Sequence, residues 1–117
     1  MIDRDFLRGF VKIYTLWRSG QEEVYGAQIA EEMKQLGFEL SPGTLYPALH
    51  ALRAERDVTV WDRIVDGKRR KCCRVTAKGR RELAELQDRL AVLMRKVFPP
   101  VSTSAASRKS TAKKGRA

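Results

Sequence analysis

The segment from Leu40 to Leu52 constrains the fold more than any other part of the chain. Ser41 and Pro42 are typical of a helix start. A serine hydroxyl can accept hydrogen bonds from the free N–H groups of the first turn, and proline lacks only an N–H that would be unpaired there anyway. We therefore predict a short helix that buries one apolar stripe, formed at helical spacing by Leu45, Ala48, Leu49 and Leu52.

The opposite side of this predicted helix is polar and almost uncharged. Such a face can dock against another surface without desolvating ions. Pro47 inside the helix removes a backbone hydrogen bond and crowds the preceding turn, and broken local rules are typical of functional or strained sites. We interpret this side as a binding face, with His50 as a surface residue. The face consists of Ser41, Thr44, Tyr46, Pro47 and His50.

Two further helices are predicted before this segment. Asp3 is a plausible cap for a first helix that Ser19-Gly20 ends, with apolar and aromatic residues recurring on one side. A second helix begins near Val24-Tyr25-Gly26 and ends at Gly37. Two helices joined by a tight turn, the second capped and short, are typical of a helix-turn-helix.

After Glu55 the periodicity changes to that of a strand. Val58 to Val65 is rich in β-branched residues, and Asp66-Gly67 is a strong signal for a two-residue hairpin turn. The return strand is predicted over Arg69 to Val75. The fold class is therefore mainly α with a small β-hairpin, in the form of a winged helix-turn-helix.

Thr76 can cap a last helix, over about 77–97, with an apolar seam of the heptad type. The seam either packs on its own domain or pairs with another subunit and with the first helix. We favour pairing, as a C-terminal dimerisation helix, because one small domain would leave the seam half exposed. The predicted dimerisation residues are Phe6, Phe10, Leu83, Leu86, Leu90, Leu93 and Val97.

We expect residues 1–98 to form one domain and residues 99–117 a basic, disordered tail. From Ser102 onward there is no acid and no large apolar residue, so burial cannot offset the entropy of ordering. The whole chain carries a net charge of +10, with a pI of about 10.1. A polyanion is therefore the leading class of partner, with an anionic membrane surface or an acidic protein as alternatives.

Basic residues without any acid run from Lys68 to Arg81. We expect the wing residues to follow a phosphate backbone. The cations in the first turns of the last helix oppose the helix dipole, which suggests that an external anion binds there. The cluster consists of Lys68, Arg69, Arg70, Lys71, Arg74, Lys78, Arg80 and Arg81.

The sequence points to no metal, cofactor or catalytic site. Cys72 and Cys73 are neighbours on a predicted strand and point to opposite faces, so they cannot readily share one metal ion. We interpret them as reduced strand residues, with a redox-sensing thiol as the alternative. His50 is the only histidine, and no paired carboxylates, nucleophile set or glycine-rich phosphate loop is recognisable. No apolar run has the length of a membrane span, and we expect a cytoplasmic protein.

Three segments resemble the PadR-like winged-helix transcriptional regulators. Leu40 to Leu49, read as LSPGTLYPAL, resembles the recognition-helix signature of that family. Tyr25-Gly26 resembles its opening of the second helix, and Lys71 to Arg80 is similar to its wing exit, although cysteines stand where aromatic residues are usual. Arg56-Asp57 replaces the usual acidic-glycine helix stop. The resemblance spans roughly residues 5–95 and implies a dimeric, DNA-binding repressor or regulator with a short C-terminal helix.

The expected partners are double-stranded DNA and a second copy of the chain, and no effector can be named. Thr44 can hydrogen-bond a base edge, while Tyr25 and Tyr46 can reach phosphates. The alternatives are that Ser41 is only a cap and that the tyrosines are partly buried core residues. A protein–protein adaptor and a non-specific nucleoid binder remain the competing functions. The predicted DNA-binding residues are Tyr25, Ser41, Pro42, Thr44, Tyr46, Pro47, His50, Lys68, Arg69, Arg70, Lys71, Lys78 and Arg80.

Overall fold

The computed structural model describes residues 3–99, which form four helices and a three-stranded antiparallel sheet. This architecture confirms the predicted winged helix, with the hairpin following the helix-turn-helix. The elements in chain order are α1 (Arg4–Gln21), β1 (Val24–Tyr25), α2 (Gly26–Gln35), α3 (Pro42–Ala54), β2 (Val58–Val65), β3 (Lys68–Val75) and α4 (Ala77–Val97).

The predicted cap of α1 is present. The Asp3 carboxylate accepts a hydrogen bond of 2.6 Å from the backbone N–H of Asp5, which satisfies one free donor of the first turn. The helix does not stop at Ser19-Gly20 as predicted but continues to Gln21. Ser19 lies buried inside the helix, where its hydroxyl is satisfied by donating to the carbonyl of Thr15, four residues earlier.

Val24 and Tyr25 form a short strand that was not predicted, and the second helix begins at Gly26, within its predicted start near Val24-Tyr25-Gly26. The strand pairs antiparallel with β3, placing Val24 opposite Cys73 and Tyr25 opposite Cys72. The strand order is β1-β3-β2, and α2 begins immediately after Tyr25. The start of α2 is thereby tied to the central strand of the sheet.

The hairpin forms as predicted. Asp66 and Gly67 have φ angles of 52° and 78°, which is the left-handed backbone that a tight two-residue turn requires. The return strand begins at Lys68, one residue earlier than predicted. Val58 lies opposite Val75 and Val65 opposite Lys68, so the two strands pair over their whole length.

The apolar stripe of α3 lies in the core, as predicted. Leu45, Leu49 and Leu52 are buried there. They pack against side chains of α1, α2 and the sheet, so burial of this one stripe determines which side of α3 faces solvent. The core partners include Val11, Leu16, Val24, Ile29, Met33, Val58, Cys73 and Val75.

The chain passes from α3 to β2 through a left-handed residue. Arg56 has a φ of 64°, a conformation that glycine adopts without strain. The N–H of Asp57 then donates to the carbonyl of Leu52 at 2.9 Å. The Arg56-Asp57 pair therefore turns the chain in the way that a glycine helix stop would.

Thr76 caps α4 as predicted, since its hydroxyl accepts a hydrogen bond of 3.0 Å from the N–H of Gly79. Among the described residues, 3–86 form one compact unit and 87–99 belong to a second. The basic tail predicted over 99–117 lies, apart from Pro99, outside the described residues. None of the helices described between residues 3 and 99 has the length and apolar character needed to cross a lipid bilayer.

Candidate nucleic-acid interface

The surface of α3 carries no acidic residue along its whole length. Ser41, Pro42, Tyr46, Pro47 and His50 are exposed, as predicted for the polar side of the helix. Pro42 occupies the first turn, where its missing N–H is not needed. The helix therefore presents a nearly uncharged face to solvent.

Thr44 does not belong to this exposed face, so its predicted placement was wrong. Its side chain is only 6% exposed, since it lies four residues before Ala48 and one helical turn places both on the buried side. Its Oγ1 lies 3.3 Å from the hydroxyl oxygen of Ser41. Thr44 is thus placed to orient Ser41 rather than to reach a base itself.

Ser41 occupies the cap position of α3, but its hydroxyl makes no capping hydrogen bond. Its backbone carbonyl instead accepts from the N–H groups of Thr44 and Leu45, at 2.9 and 3.0 Å. The interpretation of Ser41 as only a side-chain cap is therefore not supported. The exposed hydroxyl is available to an external hydrogen-bonding group at the start of the helix.

Tyr46 is held by a close contact with the start of α2. A methyl group at Gly26 would lie 3.0 Å from Cε1 of Tyr46 and 3.3 Å from Cδ1 of Leu49. Only glycine allows the aromatic ring to lie so close to the backbone. Because 42% of Tyr46 is still exposed, the ring is a fixed part of the surface and not a core residue.

A cavity of about 360 Å³ lies on one side of Tyr46; we call it the Tyr25 cavity. Its lining contains three cations and no acid. The Arg70 guanidinium carbon lies 4.8 Å from the centre of the Tyr25 ring, a cation–π contact that orders the arginine. The lining residues are Tyr25, Gly26, Ala27, Tyr46, Arg69, Arg70 and Lys71.

A second cavity, of about 250 Å³, lies between α3 and the wing, and we call it the α3–wing cavity. Tyr46 and Lys71 line both cavities. Sequence reasoning missed Arg53, although it lies three residues after His50 and therefore on the same side of the helix. The lining residues are Tyr46, Leu49, His50, Arg53, Val60 and Lys71.

The ammonium of Lys78 is already paired with carboxylates of the same chain. The suggestion that an external anion binds it, made from the helix dipole, was therefore wrong for this residue. Its ammonium lies 2.9 Å from Oδ1 of Asp57 and 2.8 Å from Oε2 of Glu82. Hydrogen bonds to Glu82 and Asp57 raise the pKa of Lys78, and its ammonium lowers the pKa of Glu82. The carboxylate oxygens of Glu55, Asp57 and Glu82 lie close enough together to hold a metal ion. The ammonium of Lys78 instead binds two of these carboxylates, those of Asp57 and Glu82.

Arg80 is also directed toward another part of the molecule. It donates a long hydrogen bond, of 3.4 Å, to the carbonyl of Gly20 at the end of α1. Neither this partner nor those of Lys78 line the Tyr25 cavity or the α3–wing cavity. The basic cluster predicted over 68–81 is therefore divided, and its wing portion alone borders the two cavities beside Tyr46.

The two cysteines are buried, free thiols. Burial raises the pKa of Cys73 to about 12 and also raises the pKa of Cys72. A protonated thiol is a poor nucleophile, and redox-sensing cysteines normally have a depressed pKa. The structure thus favours the interpretation of both cysteines as strand residues over redox sensing.

Known proteins are similar to this chain in sequence and in fold. Residues 12–85 match the family model described as the transcriptional regulator PadR-like family. Transcriptional regulator Rv3488 of Mycobacterium tuberculosis is 39% identical over 95 residues, covering 81% of this chain and 89% of that protein. A PadR-like transcriptional regulator from Bacillus cereus has a similar structure, with a TM-score of 0.69, 27% identity, and coverage of 80% of this chain and 92% of the other.

A PadR family transcriptional regulator from Eggerthella lenta gives a TM-score of 0.69 at 26% identity, covering 80% of this chain and 82% of the other. The family match spans most of the compact unit that ends at Leu86, including α2, α3 and the wing. The chain belongs to the PadR-like family of transcriptional regulators.

Proposed function

We propose that the chain is a sequence-specific repressor that binds a pseudo-palindromic operator as a homodimer. One observation carries this proposal: the uncharged, exposed side of α3 lies beside two cavities whose linings contain cations and no acid. A helix of this kind fits the major groove of DNA, and cations on either side of it match the phosphate backbones.

The two kinds of contact have separate roles in this proposal. Exposed groups at the start and on the outer side of α3, including Ser41 and His50, meet base edges or the adjacent backbone. Wing residues Lys68 to Lys71 follow the backbone or the minor groove and supply affinity and register, but not sequence choice. Tyr25 and Tyr46 contribute hydroxyl groups to phosphate binding.

The homodimer is supported by apolar side chains that remain exposed. Phe6 is 64% and Phe10 36% exposed on α1, and their rings stack on each other with centroids 6.4 Å apart. On α4, Leu93 and Val97 are 49% and 59% exposed. Leu83 packs against the core of its own unit, so the proposed subunit contact is confined to the remaining seam residues Leu86, Leu90, Leu93 and Val97 together with Phe6 and Phe10.

A dimer would place two copies of α3 in successive major grooves of one duplex face. Half-sites would then lie about 10 base pairs apart, or a multiple of that spacing. Occupancy of such an operator would block access of the transcription machinery to the same DNA. Repression therefore requires no catalytic group and no cofactor.

Selection of bound duplexes from a random DNA pool tests this function directly. We expect enrichment of inverted repeats with half-sites about 10 base pairs apart, followed by preferential binding of the selected duplex over a scrambled one across a range of salt concentrations. Equal affinity for selected and scrambled DNA would instead indicate a non-specific nucleoid binder. Failure to bind any duplex would favour a protein–protein adaptor.

A further inference from the structure

We propose that the α3–wing cavity binds one phosphate of the DNA backbone and that Arg53 is its main ligand, assisted by His50 and Lys71. The inference rests on the proposed DNA binding and deepens it, because it assigns a contact to a residue outside the predicted interface. It also divides the phosphate contacts into two separate sites, one on each side of Tyr46.

The chemistry of the cavity fits an anion. Three groups that can donate hydrogen bonds to an anion, on Arg53, His50 and Lys71, line a space of about 250 Å³ together with no carboxylate. Leu49 and Val60 form apolar parts of the same lining. The three donors themselves are exposed, so an incoming anionic oxygen can reach them and accept charge-assisted hydrogen bonds.

Arg53 is the best-placed ligand among these groups. Within residues 3–99 it takes part in no ion pair, so no carboxylate of the described chain compensates its charge. Its planar guanidinium can bind two phosphate oxygens at once. Lys71 pairs with Asp62 at 3.1 Å, but both side chains are about half exposed, so this weak pair can open when a phosphate arrives.

The arrangement of the two cavities favours a polymer over a single small anion. Tyr46 and Lys71 line both, and the neighbouring Tyr25 cavity adds Arg69 and Arg70. Two adjacent cationic sites that share a wall match a ligand with regularly repeated negative charges. A backbone strand running between α3 and the wing satisfies this requirement.

The test compares Arg53→Gln with Arg8→Gln in the full chain. Arg8 is an exposed arginine on α1 that lines neither cavity, so its substitution controls for the loss of one positive charge. Binding to the selected operator is measured by fluorescence anisotropy over a range of salt concentrations. We expect Arg53→Gln to reduce the slope of log K against log salt by about 1.8, or about 0.9 for each of the two subunits, and to reduce the affinity about tenfold. Arg53→Lys should restore most of the slope.

Duplexes with one neutral methylphosphonate linkage at the same position of each half-site locate the contact. If the assignment is correct, the loss caused by Arg53→Gln disappears when one symmetry-related pair of linkages is neutral and persists at all others. Arg53→Gln with the same slope and affinity as Arg8→Gln would overturn the inference while leaving DNA binding intact. Absence of DNA binding by the wild-type chain would instead overturn the proposed function and this inference together.

Discussion

The backbone carbonyl of Asp57 lies directly against Gly79, so that a methyl group at Gly79 would overlap the carbonyl oxygen. The N–H of Thr76 donates to the same oxygen at 3.0 Å, and Lys78 binds the buried side chain of Asp57. The passage from α3 to β2 is thereby fixed to the start of α4. This contact lies entirely within the unit that ends at Leu86.

Gly79→Ala is expected to destabilise the fold, because its new methyl group meets rigid backbone rather than a movable side chain. We expect a loss of about 2–3 kcal/mol in the free energy of unfolding, measured by urea denaturation. Gly9→Ala is the matched control, since Gly9 also lies in a helix but no atom would be within 4 Å of its methyl group. The free energy of unfolding of Gly9→Ala should rise by about 0.5–1 kcal/mol. Equal stability of the two variants would contradict the close packing at Asp57.

Tyr14 is expected to lower the free energy of unfolding at alkaline pH. Burial, followed by a hydrogen bond to Glu32, raises the pKa of Tyr14 from 10.0 to about 12. Between these values the unfolded chain loses the phenolic proton while the folded chain retains it, so the free energy of unfolding falls as the pH rises. Urea denaturation should show this fall relative to Tyr14→Phe, which has no phenolic proton. Parallel pH profiles for the two proteins would show that the Tyr14 pKa is not raised.

Local sequence signals predicted those parts of the fold that depend on neighbouring residues. Asp3 and Thr76 accept capping hydrogen bonds, and Asp66-Gly67 forms the tight turn, because each depends on contacts within a few residues. The β1 strand was not predicted, because two residues carry no periodicity. Its formation depends on pairing with β3, far along the chain.

The candidate site was predicted only in part for the same reason. Thr44 was assigned to the exposed side because it is polar, yet helical geometry places it beside Ala48 in the buried stripe. The role of Lys78 depends on Asp57, which lies 21 positions away in sequence and becomes its neighbour only in the folded chain. Arg53 could have been found from its spacing to His50, but its cavity also requires Val60 and Lys71 from the wing.

Gly26→Ala should weaken DNA binding by displacing the ring of Tyr46. The added methyl group would lie 3.0 Å from that ring, which must shift because the backbone of α2 is fixed by β1. We expect a roughly tenfold loss of affinity for the selected operator, measured by fluorescence anisotropy, with a fall of only about 1 kcal/mol in the free energy of unfolding. Gly9→Ala adds the same methyl group at a position where no atom lies within 4 Å and that lines neither cavity, so it is the control. Undiminished affinity in Gly26→Ala would show that the position of Tyr46 does not matter for binding.

Leu93→Asp tests the proposed subunit contact on α4. Leu93 lies on the heptad seam and is 49% exposed in the single chain, so a charge is tolerated in the monomer but would be buried unpaired in the dimer. We expect sedimentation to show a shift from dimer to monomer, and operator affinity to fall at least tenfold because the two half-sites no longer act together. Val92→Asp, at a residue that is 60% exposed but lies off the seam, should remain dimeric. If Leu93→Asp also stays dimeric, the seam is not the subunit contact, and the half-site spacing must be explained by another surface.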